Sequence, residues 1–209
     1  MKSLFVARHG ETEWNRVGRW QGTTDIPLSE VGRAQARALG ERLRGLGIAQ
    51  VHASHLERAR ETAAIVATLL SVPTPAVDER LRERGFGCFE GLTRAECAER
   101  HPVAWAQYLA DRRSTPPDAE PQPAVEARIV AALTDIARLP VRAGEATLVI
   151  SHGGAIRTFI HAVTAAAPPP LENAAVFLAR YDGDRFVSVT AVAGAHLPDQ
   201  NSPSRPKVG

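Results

Sequence analysis

The sequence predicts an α/β fold, a three-layer sandwich whose mostly parallel sheet is flanked by helices, with an antiparallel element near the C-terminus. Three observations predict it. Strand-length apolar runs alternate with stretches of helical period through most of the 209 residues. The runs Leu4–Ala7 and Ala146–Ile150 each stop at a histidine followed by glycine. Near the end, Ala174–Tyr181 and Phe186–Ala193 flank Asp182-Gly183-Asp184, a hairpin signal.

Taken in order, Leu4-Phe5-Val6-Ala7 is a short buried strand. Ser29 caps a helix whose apolar positions Val31, Ala34, Ala38, Leu39, Leu43 and Leu46 follow helical spacing, and Gly45 and Gly47 end it. Gln50–Ala53 is a second strand. Ser54-His55-Leu56-Glu57 has the form of a capping box opening a helix to about Leu70. Pro73 and Pro75 break the chain, and a short strand follows at Ala76-Val77. Arg84 to Gly91 is a glycine-punctuated loop. Helical stretches follow at Thr93–Glu99 and Pro102–Asp111, then a proline-rich exposed loop from Ser114 to Pro123 and a helix from about Ala124 to Arg138. Ala146–Ile150 is the clearest strand, ending at Ser151-His152-Gly153-Gly154 before another helix. No repeat and no linker divides the chain. One domain is expected over 1–197, with a small cap around 84–124, and a flexible polar tail over 198–209.

Composition narrows the partners. Lys+Arg 25 against Asp+Glu 23 leaves +2, with no dense basic run. Nucleic acid and anionic membrane are disfavoured, since both ask for a concentrated basic face. Nearly all the cations are arginine, with lysine only at Lys2 and Lys207. That bias has a genomic explanation, so only an arginine placed beside other site residues carries weight. Cys88 and Cys97 form no Cys-x-x-Cys pair, and the N-terminus lacks a signal-peptide h-region. The expectation is a cytoplasmic protein with two reduced thiols, monomer or homodimer.

In open α/β sheets ligands bind outside the carboxyl ends of the strands, where His9 and His152 are both placed. Glycine after each histidine lets backbone approach a ligand, and Gly153-Gly154 opens a helix whose N–H groups favour an anion. Metal binding is the rival reading for two histidines. Against it, Arg8 adjoins His9, and no His-x-x-x-His or Asp-x-His spacing supplies further ligands. An arginine there repels cations and attracts oxyanions.

Four segments in order resemble the histidine phosphatase superfamily, in its phosphoglycerate mutase-like branch. They are Arg8-His9-Gly10-Glu11-Thr12 with Asn15 and Gly18-Arg19-Trp20-Gln21-Gly22; Ser54-His55-Leu56-Glu57-Arg58-Ala59; Leu81-Arg82-Glu83-Arg84-Gly85 with Glu90-Gly91; and Ser151-His152-Gly153-Gly154. The resemblance implies that His9 is a nucleophile forming a phosphohistidine, a task suited to neutral imidazole. It implies that Arg8, Arg58 and His152 bind the phosphoryl oxygens, with no metal and no cofactor. Glu83 matches the family's proton donor, the phosphate's charge favouring its protonated form; without the resemblance it is a solvated charge in an arginine-rich run. The resemblance implies a small phosphorylated metabolite as partner, and Asn15, Gln21, Gly22 and Gly153 are candidates for binding it. Trp14 and Trp20 are expected in core or pocket wall, and both cysteines as small buried hydrophobes.

Three functions remain open. A phosphatase would hydrolyse the phosphohistidine with water. A mutase would return the group to another hydroxyl, but the family's mutases usually carry threonine-glycine-tryptophan where this chain has Gln21-Gly22-Thr23, and they are longer after the Glu83 region. A non-catalytic phospholigand module would be expected to lack His9 or Glu83. Phosphatase is the reading preferred. One departure touches the cap: Ala119-Glu120-Pro121 stands where many phosphatases of the branch have glycine-glutamate-serine.

Overall fold

The computed structural model describes residues 1–192; the expected flexible tail lies outside them. Its elements run β1 (Lys2–Arg8), α1 (Glu13–Arg16), α2 (Glu30–Leu43), β2 (Ile48–Ala53), α3 (Glu57–Leu70), β3 (Ala76–Val77), α4 (Arg94–Arg100), α5 (Pro102–Ala110), α6 (Gln122–Arg138), β4 (Ala146–Ser151), α7 (Gly153–Thr164), β5 (Val176–Tyr181) and β6 (Phe186–Ala191). The strands form one sheet in the order β3-β2-β4-β1-β5-β6. Pairs β3–β2, β2–β4 and β4–β1 are parallel; β1–β5 and β5–β6 are antiparallel. The predicted α/β sandwich is the observed one.

Period-two alternation along the strands builds the three layers. In β1, Leu4 and Val6 face one core with Ile129, Leu133 and Ile136 of α6 and Ile156 and Phe159 of α7. Phe5 and Ala7 face the other, with Leu39 and Leu43 of α2 and Ala59, Ala63 and Val66 of α3. Both faces of β4 are covered, so all six of its residues are buried. Truncating Leu148 at the sheet centre is expected to cost about 2–5 kcal/mol, the range for a buried leucine cut to alanine. The connection after β1 leads to α2 on one face, and β4 leads into α7 on the other. Neighbouring strands whose helices diverge open a crevice at their carboxyl ends. His9 and His152 stand at that end, one directly after each of two neighbouring parallel strands.

Two local expectations are corrected. On α2 the buried face is Gly32, Ala36, Leu39, Gly40 and Leu43, while Val31 is 54% exposed and Leu46 41%. Leu39 and Leu43 pack in the core as expected, and close backbone approach at Gly32 and Gly40 sets the rest of this face. A Cβ on Gly32 would collide with the Glu11 carbonyl, and one on Gly40 would lie 2.8 Å from Leu69. Ser54 does not cap α3. That helix starts after Leu56, and the Ser54 hydroxyl accepts from the Leu56 N–H at 3.3 Å. The N–H of Glu57 is instead capped by the Asp25 carboxylate at 2.6 Å, from a loop distant in sequence. Capping boxes do occur, at Thr12/Asn15 and Thr93/Glu96.

A third, smaller cluster joins Phe86, Phe89, Cys97, Trp105 and Tyr108, with Trp20 against it, its ring centroid 4.6 Å from that of Phe86. Trp20 is thus a packing residue, as expected. Burial raises the Cys97 thiol to about 11, whereas Cys88 is only half-buried. Among the described residues no helix is long and apolar enough to cross a membrane.

Candidate active site

Register brings the two histidines together. Arg8 pairs with Ser151 across β1 and β4, and the His9 N–H donates to the Ser151 carbonyl at 3.0 Å. Their ring centroids lie 5.0 Å apart, both residues buried. The His9 Nδ1 is 2.6 Å from the Gly10 carbonyl oxygen, which can only accept. Nδ1 therefore carries the proton, and the lone pair is on Nε2. Burial, with the Arg58 and Arg8 charges behind it, holds the His9 imidazole well below its usual range. Burial first, then Arg58, His9 and Arg8, does the same to His152. Among the described residues neither ring nitrogen of His152 has a hydrogen-bond partner.

Two arginines supply the charge. Arg58, fully buried in the first turn of α3, donates to the carbonyls of Thr24 and Gly22, each at 2.8 Å. Arg8 donates to the Leu171 carbonyl at 2.7 Å, and burial lowers it to about 10. The Nε of each is sealed from water without a partner. Among the described residues neither has a carboxylate in ion-pair contact, so both cations are free to meet an anionic ligand.

Glu83 completes the group from an irregular segment. Its Oε2 accepts from the Gly154 N–H at 2.9 Å, and its Oε1 from those of Ala155 and Arg84 at 3.0 and 2.8 Å. Helix α7 thus does receive an anion at its N-terminus, as its glycines suggest, but that anion is the protein's own carboxylate. Gly154 is the glycine this contact requires, since a Cβ there would lie 2.5 Å from Glu83 Oε1. At Gly153 a Cβ would meet Arg8 Nε only at an ordinary 3.5 Å.

The remaining candidates act mostly behind this group. Asn15 Oδ1 accepts from Thr12 N–H at 3.1 Å and from Asn173 Nδ2 at 3.1 Å, which leaves its amide nitrogen for a ligand. Gln21 is buried with its side-chain oxygen unpartnered. Gly22 contributes a carbonyl that orients Arg58, and a Cβ on it would overlap Glu90. Sequence reasoning missed Asn173, whose amide donates to the His9 carbonyl at 3.3 Å, and Ser151, whose hydroxyl ties β4 to the Leu81 carbonyl at 2.8 Å. Both contacts join residues far apart in sequence, which no local pattern announces.

The match to the family model of the histidine phosphatase superfamily (branch 1) covers residues 4–193. The chain belongs to that superfamily. Among its relatives, a probable phosphoglycerate mutase of Enterobacter sp. is 34% identical over 165 residues, 78% of this chain and 75% of that one. A metal-independent phosphoserine phosphatase of Arabidopsis thaliana is 34% identical over 177 residues, 83% and 74% of the two chains. The fold is also that of the mycobacterial glucosyl-3-phosphoglycerate phosphatase solved with VO3, at TM-score 0.79 and 26% identity over 91% of this chain and 97% of that one. In this histidine phosphatase superfamily member the charges of Arg8 and Arg58 act on both His9 and His152, and the Glu83 carboxylate acts on both arginines.

Proposed function

We propose that this chain is a phosphatase that hydrolyses small phosphomonoesters through a phosphohistidine on His9, without a metal. The observation that carries the reading is the His9 Nδ1–Gly10 contact, which sets the tautomer with the lone pair on Nε2, while burial and the Arg58 and Arg8 charges, neither paired with a carboxylate among the described residues, hold the ring neutral. Arg8, Arg58 and His152 hold the phosphoryl oxygens. His9 Nε2 attacks phosphorus, the P–O bond to the leaving group breaks, and Glu83 in its acid form gives that oxygen its proton. Water then attacks phosphorus as the Glu83 carboxylate takes its proton, the N–P bond breaks with its electron pair returning to His9 Nε2, and inorganic phosphate leaves. The charge stabilisation comes from fixed guanidinium and imidazole groups, enough for a transfer that is mostly positioning and electrostatics. Residues 84–124 form the cap that reads the leaving group. The names of relatives favour a second reading, a phosphoglycerate mutase. A panel of phosphomonoesters, with 3-phosphoglycerate included, separates the two: a phosphatase releases inorganic phosphate, whereas accumulation of 2-phosphoglycerate without phosphate release means a mutase.

A further inference from the structure

The backbone that carries Glu83 is gripped by one arginine of α6. Arg128 has five N–H donors and every one is matched. Its Nε and one Nη2 proton go to the two Glu120 oxygens at 2.7 and 2.8 Å. Its Nη1 donates to the carbonyls of Arg80 and Arg82 at 2.8 and 2.7 Å, and Nη2 also reaches the Glu83 carbonyl at 3.0 Å. The side chain is 10% exposed and that of Glu120 14%. Glu120 extends the grip: it accepts from Arg82 Nη2 at 3.0 Å and Gly85 N–H at 3.4 Å, and its own N–H donates to the Gly85 carbonyl at 2.9 Å.

Glu83 therefore hangs between two helices, its carbonyl fixed by α6 and its carboxylate by the N-terminus of α7. Three carbonyls facing one side form a concentration of partial negative charge. Only the flat, forked guanidinium can satisfy all three and a carboxylate together; a lysine has three donors and no fork. Without the clamp, residues 80–85 lose their fixed course, and rotation about that backbone swings the Glu83 carboxylate.

We propose that Arg128, backed by Glu120, is a positioning residue for Glu83: it sets the reach of the acid to the leaving oxygen without touching substrate. This rests on the proton-donor reading of Glu83 above. A clamp that served stability alone would leave the rate per folded molecule unchanged for both substrates, and one that shaped the whole site would slow both alike; either result overturns the proposal. A clamp that serves the acid matters only where the leaving oxygen needs a proton.

The test is single-turnover phosphorylation by an alkyl phosphate and by p-nitrophenyl phosphate, whose phenolate leaves without protonation. Rates are taken per folded molecule for Glu83→Gln, Arg128→Lys, Glu120→Gln and the double variant Arg128→Lys/Glu83→Gln. Arg128→Lys is expected to slow the alkyl substrate by about tenfold or more and the nitrophenyl substrate by no more than about twofold. Added to Glu83→Gln it costs nothing further, because the group it positions is gone. Glu120→Gln shows the same pattern more weakly, and decides the matter if Arg128→Lys does not fold. Equal slowing of both substrates, or losses that multiply in the double variant, overturns the clamp while the acid reading stands. If Glu83→Gln itself slows both substrates equally, the acid reading fails and takes the clamp with it.

Discussion

The Glu83 carboxylate sits on the backbone N–H groups of Gly154 and Ala155, so the segment after β3 and the helix after β4 meet at one contact, at 2.9 and 3.0 Å. Gly154 makes room for it. In a helix interior alanine is favoured over glycine by about 1 kcal/mol. Here a Cβ would lie 2.5 Å from Glu83 Oε1, so the carboxylate must move. Gly154→Ala is expected to slow turnover of an alkyl phosphate by about a hundredfold, the scale of an ångström-sized misplacement, with little change in thermal midpoint. Unchanged turnover would mean that the position of Glu83 is immaterial.

The two histidines predict a pH dependence of stability. Both are held well below the ordinary value of 6.5, mainly by burial. Below 6.5 the unfolded chain binds protons that the folded chain refuses. Stability is therefore full above that value and falls as pH drops. The slope is up to about 1.4 kcal/mol per pH unit for each histidine. Urea midpoints measured from pH 7 to 5 should decline, and His152→Gln should flatten the decline. A midpoint constant over that range would mean that the imidazoles accept protons in the folded state.

Much of this site is legible in the sequence, and the illegible part has a physical cause. His9 and His152 stand out because each is placed by its own strand, a local pattern, and register needs only neighbouring strands. The arginines and Glu83 are legible through resemblance. The rest is long-range. Asp25, not Ser54, caps α3, and Gly22 serves through a carbonyl that orients Arg58. Gly153 drew notice where Gly154 makes the close contact, because only the approach of Glu83 distinguishes two adjacent glycines. Helical spacing found Leu39 and Leu43 on the buried face of α2 but not Gly32 and Gly40, because a hydrophobic pattern does not count glycines.

Metal independence is tested by chelation. Arg8 and Arg58 are proposed to supply the charge a metal would bring, with neutral His152 as a polar contact beside them, so EDTA should leave the rate within about twofold. Vanadate should inhibit, since its adduct with a nucleophile imitates the phosphoryl transition state. Loss of activity on chelation, restored by a divalent cation, would contradict this.

The central claim is the covalent intermediate on His9. Brief reaction with a labelled phosphomonoester, quenched and mapped by mass spectrometry, should give an acid-labile, base-stable phosphoryl group on the peptide carrying His9. His9→Ala should abolish the label and lower turnover by at least about a thousandfold, as no neighbouring group replaces the nucleophile. Label persisting in His9→Ala, or found on another residue of the wild-type protein, would contradict the account.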